Sequence, residues 1–298
     1  MPFSRLFDLY MADLDSRCSR THAHNVRQQL RRISERVPNL SPIALLAYRQ
    51  DRIKIDGVSH RTANADIKAL SSCFEWGLRA GLATENPYRL IRRLPERQGD
   101  LRKRRRAMTD EEMSRFLRAS CERDAELERD YEVTLLWRTF LETGMRWGEL
   151  SMVTGAELHG ETIILSPDRT KTREARSIPL RPALAAKLRR RARNGSPIFR
   201  TPRGSTWLNN RKTALCIFYD TLERADIPRV DAMGRSLDIH ATRWSFISRA
   251  QRRGVPEPMI ALMVGHASTR PGANVTTRGY TDLTVEDLRR ELRRRMWR

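Results

Sequence analysis

The sequence predicts a mostly α-helical protein of two domains, an all-α helical bundle followed by a mainly α domain that contains a small antiparallel β sheet. Apolar residues recur at three- and four-residue steps over most of the 298 residues, which is the pattern of amphipathic helices. Two short segments rich in β-forming residues lie near each other at 162–165 and 177–180. A proline, a glycine and five consecutive basic residues interrupt the helical pattern between positions 95 and 107.

Residues 1–94 form the predicted helical bundle. Four segments have helical patterning, with short polar breaks between them: 4–16, 22–37, 41–52 and 62–80. One apolar stripe runs along the last of these and is formed by Ile67, Leu70, Phe74 and Leu78. Arg61 and Lys68 lie off that stripe, so we expect their charges on the outer face of the bundle.

The region 108–298 is predicted to be a single, larger domain. A capping box at Thr109 begins its first helix, and a last amphipathic helix follows Thr284. Helices are expected at 109–120, 129–142, 181–193, 209–225, 240–253, 256–264 and after 284. The two β segments, joined by a polar stretch, form a predicted hairpin. Residues 95–107 are then a basic linker between the two domains.

The charge of the chain predicts a polyanionic partner. Lys and Arg number 57 against 36 Asp and Glu, which gives a formal net charge of +21. Nucleic acid is the first candidate for such a protein, and an anionic membrane surface is the alternative. The basic run in the linker would follow a phosphate backbone, or it would be a solvated tether. Its members are Arg102, Lys103, Arg104, Arg105 and Arg106.

Several classes of protein are disfavoured by what the sequence lacks. No stretch approaches the ~20 apolar residues of a membrane span, and three aspartates interrupt the N-terminal segment where a signal peptide would need an apolar core. The four cysteines are far apart and are expected to be free thiols in a reducing compartment. Phosphate-loop, zinc-protease and serine-hydrolase motifs are not found in the sequence. We therefore expect no metal and no cofactor.

Five short segments hold the residues best suited to chemistry at a phosphate group. They are TGMRWGEL at 143–150, TKTREARSIPL at 170–180, HATR at 240–243, LMVGHAS at 262–268 and TTRGYTDL at 276–283. Taken in this order, they resemble the motifs of the tyrosine recombinases, the phage-integrase and Xer-like family of site-specific DNA recombinases. The resemblance extends over nearly the whole chain, since residues 59–91 are similar to the family's core-binding domain, which encircles DNA.

The resemblance implies a catalytic set of six residues and one supporting carboxylate. The six are Arg146, Lys171, His240, Arg243, His266 and Tyr280, and the carboxylate is Glu149. In this family a tyrosine attacks a DNA phosphodiester, and the resulting 3′-phosphotyrosyl bond keeps the energy of the broken strand. His266 would donate a hydrogen bond, and Glu149 would orient Arg146 or His240. Domain 1–94 would be the SAM-like core-binding domain, and domain 108–298 would have the integrase catalytic fold.

Elementary chemistry agrees with the roles that the resemblance implies. Arg146 and Arg243 carry permanently charged, planar groups that fit the non-bridging oxygens of a phosphate. The phenol of Tyr280, with an ordinary pKa of ~10, ionises more readily than an aliphatic alcohol. His240 would take the phenolic proton, and Lys171 would protonate the departing 5′ oxygen. Both transfers suit side chains that can change their protonation state.

The family resemblance also implies partners. Its members act on double-stranded DNA as homo-tetramers that exchange strands through a Holliday junction, and accessory DNA-bending proteins are possible partners. The last helix has Leu288, Leu292 and Met296 on one side and is a candidate for docking on a neighbouring subunit, with packing against its own domain as the alternative. Such a protein would be bacterial or phage-encoded, cytoplasmic and associated with the nucleoid, with no membrane partner.

The sequence is also compatible with three other functions. A type IB topoisomerase or a hairpin-forming telomere resolvase uses similar residues. A recombinase whose active site has decayed would bind DNA without cutting it. All five motifs are intact here, which argues against decay.

Overall fold

The computed structural model describes residues 3–37, 39–96, 104–126, 133–170, 174–192, 195–201, 203–265 and 283–297. The chain divides into two compact units, Met1–Arg102 and Lys103–Arg298, and each has its own apolar core. The predicted fold class is confirmed, since helices dominate both units and the second contains a small antiparallel sheet. Within the described ranges, no helix is both long and apolar enough to cross a bilayer.

Four helices make up the described part of the N-terminal unit, within two residues of their predicted bounds. They are α1 (Phe3–Arg17), α2 (Arg20–Arg36), α3 (Pro42–Lys54) and α4 (His60–Arg79). The last three each begin after a serine whose hydroxyl accepts a hydrogen bond from the backbone N–H three residues on. These serines are Ser19, Ser41 and Ser59. Helix α4 packs against the other three, and Leu70 lies fully buried on it.

A buried ionic network joins α3 to α4. Asp66 has a side chain that is 1% exposed, and it accepts hydrogen bonds from the Tyr48 hydroxyl and from Arg52 Nε, both at 3.0 Å. Arg52 also pairs with Asp56, just beyond the end of α3. Burial and the negative charge of Asp66 raise the pKa of Tyr48, so its hydroxyl stays protonated and donates. The network satisfies polar groups that this core would otherwise leave unpaired.

The C-terminal unit contains eight described α-helices and two small sheets. The helices are α5 (Asp110–Glu126), α6 (Val133–Thr143), α7 (Trp147–Leu150), α8 (Pro182–Arg191), α9 (Arg211–Arg224), α10 (Ile239–Arg252), α11 (Glu257–Val264) and α12 (Val285–Arg295). One sheet is antiparallel, in the order β2 (Leu158–His159), β3 (Thr162–Leu165) and β4 (Arg176–Pro179), and the other pairs β1 (Arg104–Arg105) with β5 (Arg235–Ser236) in parallel. In the core, Trp137 of α6 packs edge-on against Phe116 and Phe218.

Most predicted elements of this unit are confirmed. Strand β3 agrees with its prediction residue for residue, and β4 begins one residue earlier than expected. Helix α5 continues to Glu126 instead of ending at 120, and its last turns are held to α9 by an ion pair between Arg123 and Asp220. The sequence does not predict α7, β1, β2 or β5. The three strands are two residues long and α7 is a single turn, so none of them spans enough residues to show its period.

Residues 104–107, at the C-terminal end of the predicted linker, make contacts within the second unit. Residues 104–107 belong to the second unit, because β1 pairs with β5 and the N–H of Met108 donates to Ser245 Oγ at 2.9 Å. Arg105 donates to both carboxylate oxygens of Asp238, at 2.9 and 3.1 Å, and Arg106 forms a bidentate pair with a glutamate of α5. Two members of the basic run are therefore engaged within the protein. Arg102 and Lys103 lie outside the described residues.

The last helix, α12, packs against its own unit. Its apolar side is buried, with Leu288 4%, Leu292 1% and Met296 3% exposed. Arg289 donates to the Thr162 hydroxyl of β3 at 2.9 Å, and Arg293 pairs with Glu161. This is the packing that the sequence left as the alternative to docking on a neighbouring subunit.

Candidate active site

The turn between α6 and α7 brings Arg146 and Glu149 together. Gly144 follows the end of α6 with a φ of +62°, and Arg146 is the N-cap residue of α7. The Glu149 carboxylate accepts from the backbone N–H of Arg146 at 2.9 Å and from its Nη1 at 2.8 Å. Glu149 thus caps the N-terminus of its own short helix and fixes the orientation of the Arg146 guanidinium.

A second arginine, Arg176 of β4, reaches the same carboxylate. Its Nη2 donates to Glu149 Oε2 at 2.6 Å, and the two side chains are 7% and 4% exposed. Burial alone would raise the pKa of Glu149, but attraction to Arg176 and hydrogen bonds from Arg146 hold that pKa below its ordinary value. Burial lowers the pKa of Arg176, although Glu149 opposes this. The carboxylate is therefore ionised and shared by two cations.

The predicted pair on α10, His240 and Arg243, lies at the start of that helix. Asp238 caps the helix by accepting from the backbone N–H of Ala241 at 3.2 Å. Arg243 is buried, and its Nη1 donates to the carbonyl oxygen of Gly144 at 2.7 Å. Burial and the charge of Arg146 lower the pKa of Arg243 to about 10. The guanidinium remains charged near neutral pH.

His240 is half-buried one helical turn before Arg243. Burial, then the charges of Arg105 and Arg243, lower its pKa below the ordinary histidine value of 6.5. Near neutral pH the imidazole is therefore uncharged and can accept a proton. This is the protonation state that the role assigned to His240 from the sequence requires.

Gly265 completes the described part of the site at the end of α11. Its φ is +62°, and its carbonyl oxygen accepts a hydrogen bond from Arg146 Nη2. A Cβ at this position would lie 2.0 Å from Arg176 Nη1 and 3.2 Å from Arg146 Nη1. The backbone conformation therefore favours glycine here, and a Cβ would displace the guanidinium of Arg176.

The structure gathers four of the sequence-predicted residues and adds one. The four are Arg146, Glu149, His240 and Arg243, from α7, its N-cap and α10. The addition is Arg176, which lies within the second motif but to which the resemblance assigns no role. Its sequence signal is the alternation in RSIPL, where residue 176 shares the inward-facing side of the strand with Ile178 and Leu180, both buried.

Three further site residues predicted from the sequence fall in parts of the chain that the structure does not describe. Lys171, His266 and Tyr280 are outside the described residues, although Gly265 directly precedes His266. The described residues that flank Lys171 are joined, since the N–H of Glu174 donates to the Thr170 hydroxyl at 3.1 Å.

The predicted DNA-binding residues of α4 are both exposed. Lys68 lies along a cleft of the N-terminal unit, and Arg61 lies outside that cleft. The cleft has a strongly basic lining that also includes Arg17, Arg49, Arg79, Arg89, Arg92 and Arg93.

The charge of the site suits an anion. Arg146, Arg176 and Arg243 surround Glu149, so three permanent positive charges face one negative charge. Guanidinium groups in such a cluster bind the non-bridging oxygens of a phosphate and stabilise the negative charge that develops there during attack. Among the residues that the structure describes, no three His, Cys, Asp or Glu side chains come together as a metal site.

One family model matches more than half of the chain. The model of the phage integrase family matches residues 106–286. A search of curated proteins finds no match.

Solved structures match over nearly the full length. The chain is similar to part of lambda integrase in a dimer bound to a COC′ core site, with 16% identity, a TM-score of 0.70, and coverage of 96% of this chain and 100% of that one. A lambda integrase tetramer bound to a Holliday junction matches with 17% identity and a TM-score of 0.70, over 89% and 77% of the two chains. Part of the Tn1549 transposon integrase, in complex with circular intermediate DNA, matches with 19% identity and a TM-score of 0.64, over 97% and 99%. At these identities the likeness concerns the fold.

Proposed function

Because this chain belongs to the phage integrase family, and with it to the tyrosine recombinases, we propose that it cleaves and rejoins DNA at specific sites through a 3′-phosphotyrosyl intermediate. The observation that carries the proposal is the meeting of Arg146 and Arg243 around the turn at Gly144. Two guanidiniums that repel each other at short range are stabilised by an anion between them. A DNA phosphodiester supplies that anion.

In the proposed reaction, the arginines hold the scissile phosphate and the phenol attacks it. Tyr280 Oη forms a bond to phosphorus while its proton passes to His240. The bond from phosphorus to the 5′ oxygen breaks, and Lys171 protonates the departing oxygen. The strand is resealed by the reverse path, when a 5′ hydroxyl attacks the phosphotyrosine. Arg146 and Arg243 neutralise the charge that builds up on the non-bridging oxygens in both directions.

A nicked suicide duplex tests this proposal, because loss of the short cleaved fragment traps the covalent intermediate. We expect the wild-type protein to form a protein–DNA adduct and Tyr280→Phe to form none, with DNA binding near wild type. Tyr219→Phe is the matched control, since Tyr219 lies on α9 beneath Arg229 and outside the site. An adduct that survives Tyr280→Phe would place the nucleophile on another residue.

Further assays of the wild-type protein distinguish the alternative functions. A topoisomerase would relax supercoiled plasmid that carries no target site, whereas a recombinase would not. A telomere resolvase would give hairpin products on a palindromic site. A wild-type protein that binds DNA but forms no adduct would be a decayed recombinase.

We also propose that the protein assembles on DNA as a tetramer, by analogy with the lambda integrase tetramer on a Holliday junction. The apolar side of α12 is covered by its own unit, so α12 would have to leave that position to dock on a neighbour. Crosslinking of complexes assembled on paired target duplexes would give the subunit number. A dimer as the largest species would contradict the proposal.

A further inference from the structure

We propose that Arg176 is a positioning residue of this active site: it holds Glu149 and, through Glu149, fixes Arg146 where the phosphate is bound. The inference rests on the proposed recombinase function and gives a role to a residue for which the family resemblance implies none. It is carried by the contacts of three side chains and one glycine, all of them in the described part of the C-terminal unit.

The first line of support is the distribution of hydrogen bonds between the two oxygens of the Glu149 carboxylate. Oε1 accepts from Arg146 Nη1 at 2.8 Å, and Oε2 accepts from Arg176 Nη2 at 2.6 Å and from the backbone N–H of Arg146 at 2.9 Å. Rotation of the carboxylate would break contacts with both arginines at once. Arg176 thus determines the orientation of the group that orients Arg146.

The second line of support is the burial of Arg176. Its side chain is 7% exposed, and its Nε and Nη1 have no hydrogen-bond partner among the described residues. A buried charge with unpaired donors is costly, and an apolar side chain would fill this inward-facing position of β4 at lower cost. Residues that break the rules of core formation are concentrated at functional sites. The fold of the sheet does not require an arginine here.

The third line of support is the shared contact at Gly265. Arg176 Nη1 occupies the place that a Cβ of residue 265 would take, and Arg146 Nη1 lies against the same position. The carbonyl oxygen of Gly265 accepts from Arg146 Nη2. Arg176 therefore packs against both attachments of Arg146, the carboxylate of Glu149 and the backbone at the end of α11.

Loss of Arg176 has a consequence that depends on pH. The charged groups that act on Glu149 are Arg146 at the start of α7, Arg176 of β4 and Arg243 of α10. Attraction to Arg176 is the largest influence that lowers the pKa of Glu149 against the effect of burial. Without it the pKa of Glu149 rises, and a protonated carboxyl group no longer holds the Arg146 guanidinium as an ion pair. Lowering the pH would then weaken the attachment of Arg146 to Glu149.

The test compares Arg176→Met with Arg176→Lys in single-turnover cleavage of a nicked suicide duplex. We expect Arg176→Met to slow cleavage by roughly 10- to 100-fold, the range that loss of an outer partner costs at metal sites, with DNA binding and Tm near wild type. For Arg176→Met, the ratio of the cleavage rate at acid pH to the rate at neutral pH (the acid-to-neutral ratio) should fall below that of the wild type. Arg176→Lys keeps a cation beside Glu149 and should recover part of the rate. Arg190→Met removes an exposed arginine from α8 and is the control for charge loss.

A Glu149→Gln background separates positioning from packing. Glutamine does not titrate, so Arg176→Met should no longer change the acid-to-neutral ratio in that background. If Arg176→Met leaves the wild-type rate and its pH dependence unchanged, the inference is wrong. If cleavage, DNA binding and Tm fall together, Arg176 has a structural role only. Should Arg176→Met not fold, Arg176→Gln, which also removes the charge, decides by the same criteria. A wild-type protein that forms no adduct would overturn the proposed function itself, and the positioning role with it.

Discussion

Arg243 donates a 2.7 Å hydrogen bond to the carbonyl oxygen of Gly144, a residue 99 positions earlier in the chain. The carbonyl is available because Gly144 turns the chain with a φ of +62° after the end of α6. Arg146 follows two residues later and donates in the same way to the carbonyl of Gly265, another glycine with positive φ. Both arginines are thus oriented by backbone oxygens at turns that only glycine forms easily.

Gly144→Ala should therefore damage both the fold and the site. A Cβ at residue 144 would lie 2.6 Å from Phe246 Cδ1 and 3.0 Å from Val264 Cγ1, and the positive φ is unfavourable for alanine. We expect a loss of about 2–4 kcal/mol in the free energy of unfolding, from strain and overpacking together, measured by urea denaturation. Gly160→Ala is the control: its φ is +58° and nothing lies within 4 Å of its Cβ position, so it should cost only the strain. Equal losses would mean that the contact with Phe246 is unimportant.

Lys171→Ala should slow cleavage of an ordinary phosphodiester, because the 5′ oxygen then leaves without a proton. A substrate with a 5′-bridging sulfur should restore the rate, since a thiolate leaves without protonation. Single-turnover cleavage of the two substrates measures both effects. Lys187→Ala, at an exposed position of α8, is the control and should leave both rates unchanged. If Lys171→Ala slows both substrates equally, Lys171 is not the acid.

The acid limb of the cleavage rate should lie below the ordinary histidine pKa of ~6.5. In the proposed reaction neutral His240 accepts the phenolic proton. The rate should therefore fall as the pH drops through the pKa of His240, which burial, Arg105 and Arg243 have lowered. Arg105→Gln removes one of these charges and frees Asp238, so both effects raise that pKa. The acid limb of that variant should move to higher pH, whereas Arg104→Gln should leave it in place. An unchanged limb in Arg105→Gln would contradict the role of His240 as the proton acceptor.

Asp66→Ala should destabilise the N-terminal unit strongly. The substitution leaves the Arg52 guanidinium, which is 9% exposed, with part of its charge uncompensated. Removal of one partner from a buried pair costs about 3–5 kcal/mol in the free energy of unfolding, which urea denaturation of the full chain would measure. Asp15→Ala breaks an exposed pair with Arg27 and should cost less than about 1 kcal/mol. Similar losses of unfolding free energy in the two variants would show that burial of Asp66 does not strengthen its contribution to stability.

The elements that the sequence predicts are those with repeated signals. Helix α4 and strand β3 have several apolar residues that repeat at the period of their element. The motifs that contain Arg146 and Arg243 indicate two positions that the fold brings close together. Arg176 is missed because its partner, Glu149, is 27 residues earlier and nothing local marks the pair.

Pairings across the chain are missed for the same reason. Arg105 meets Asp238 across 133 residues, so a run of positive charge that indicates DNA contact is in part an internal ion-pair cluster. Local periodicity encodes which face of a helix is buried. It does not encode which distant residue neutralises a charge.

The lowered pKa of Arg243, at about 10, still lies far above neutral pH. The arginines proposed to bind the phosphate therefore have the same charge in mildly acidic and mildly alkaline solution, whereas His240 does not. In the proposed reaction, affinity for the DNA backbone and the rate of strand cleavage would respond to different conditions. Salt would weaken the affinity through competing counter-ions, and proton concentration would control the cleavage rate.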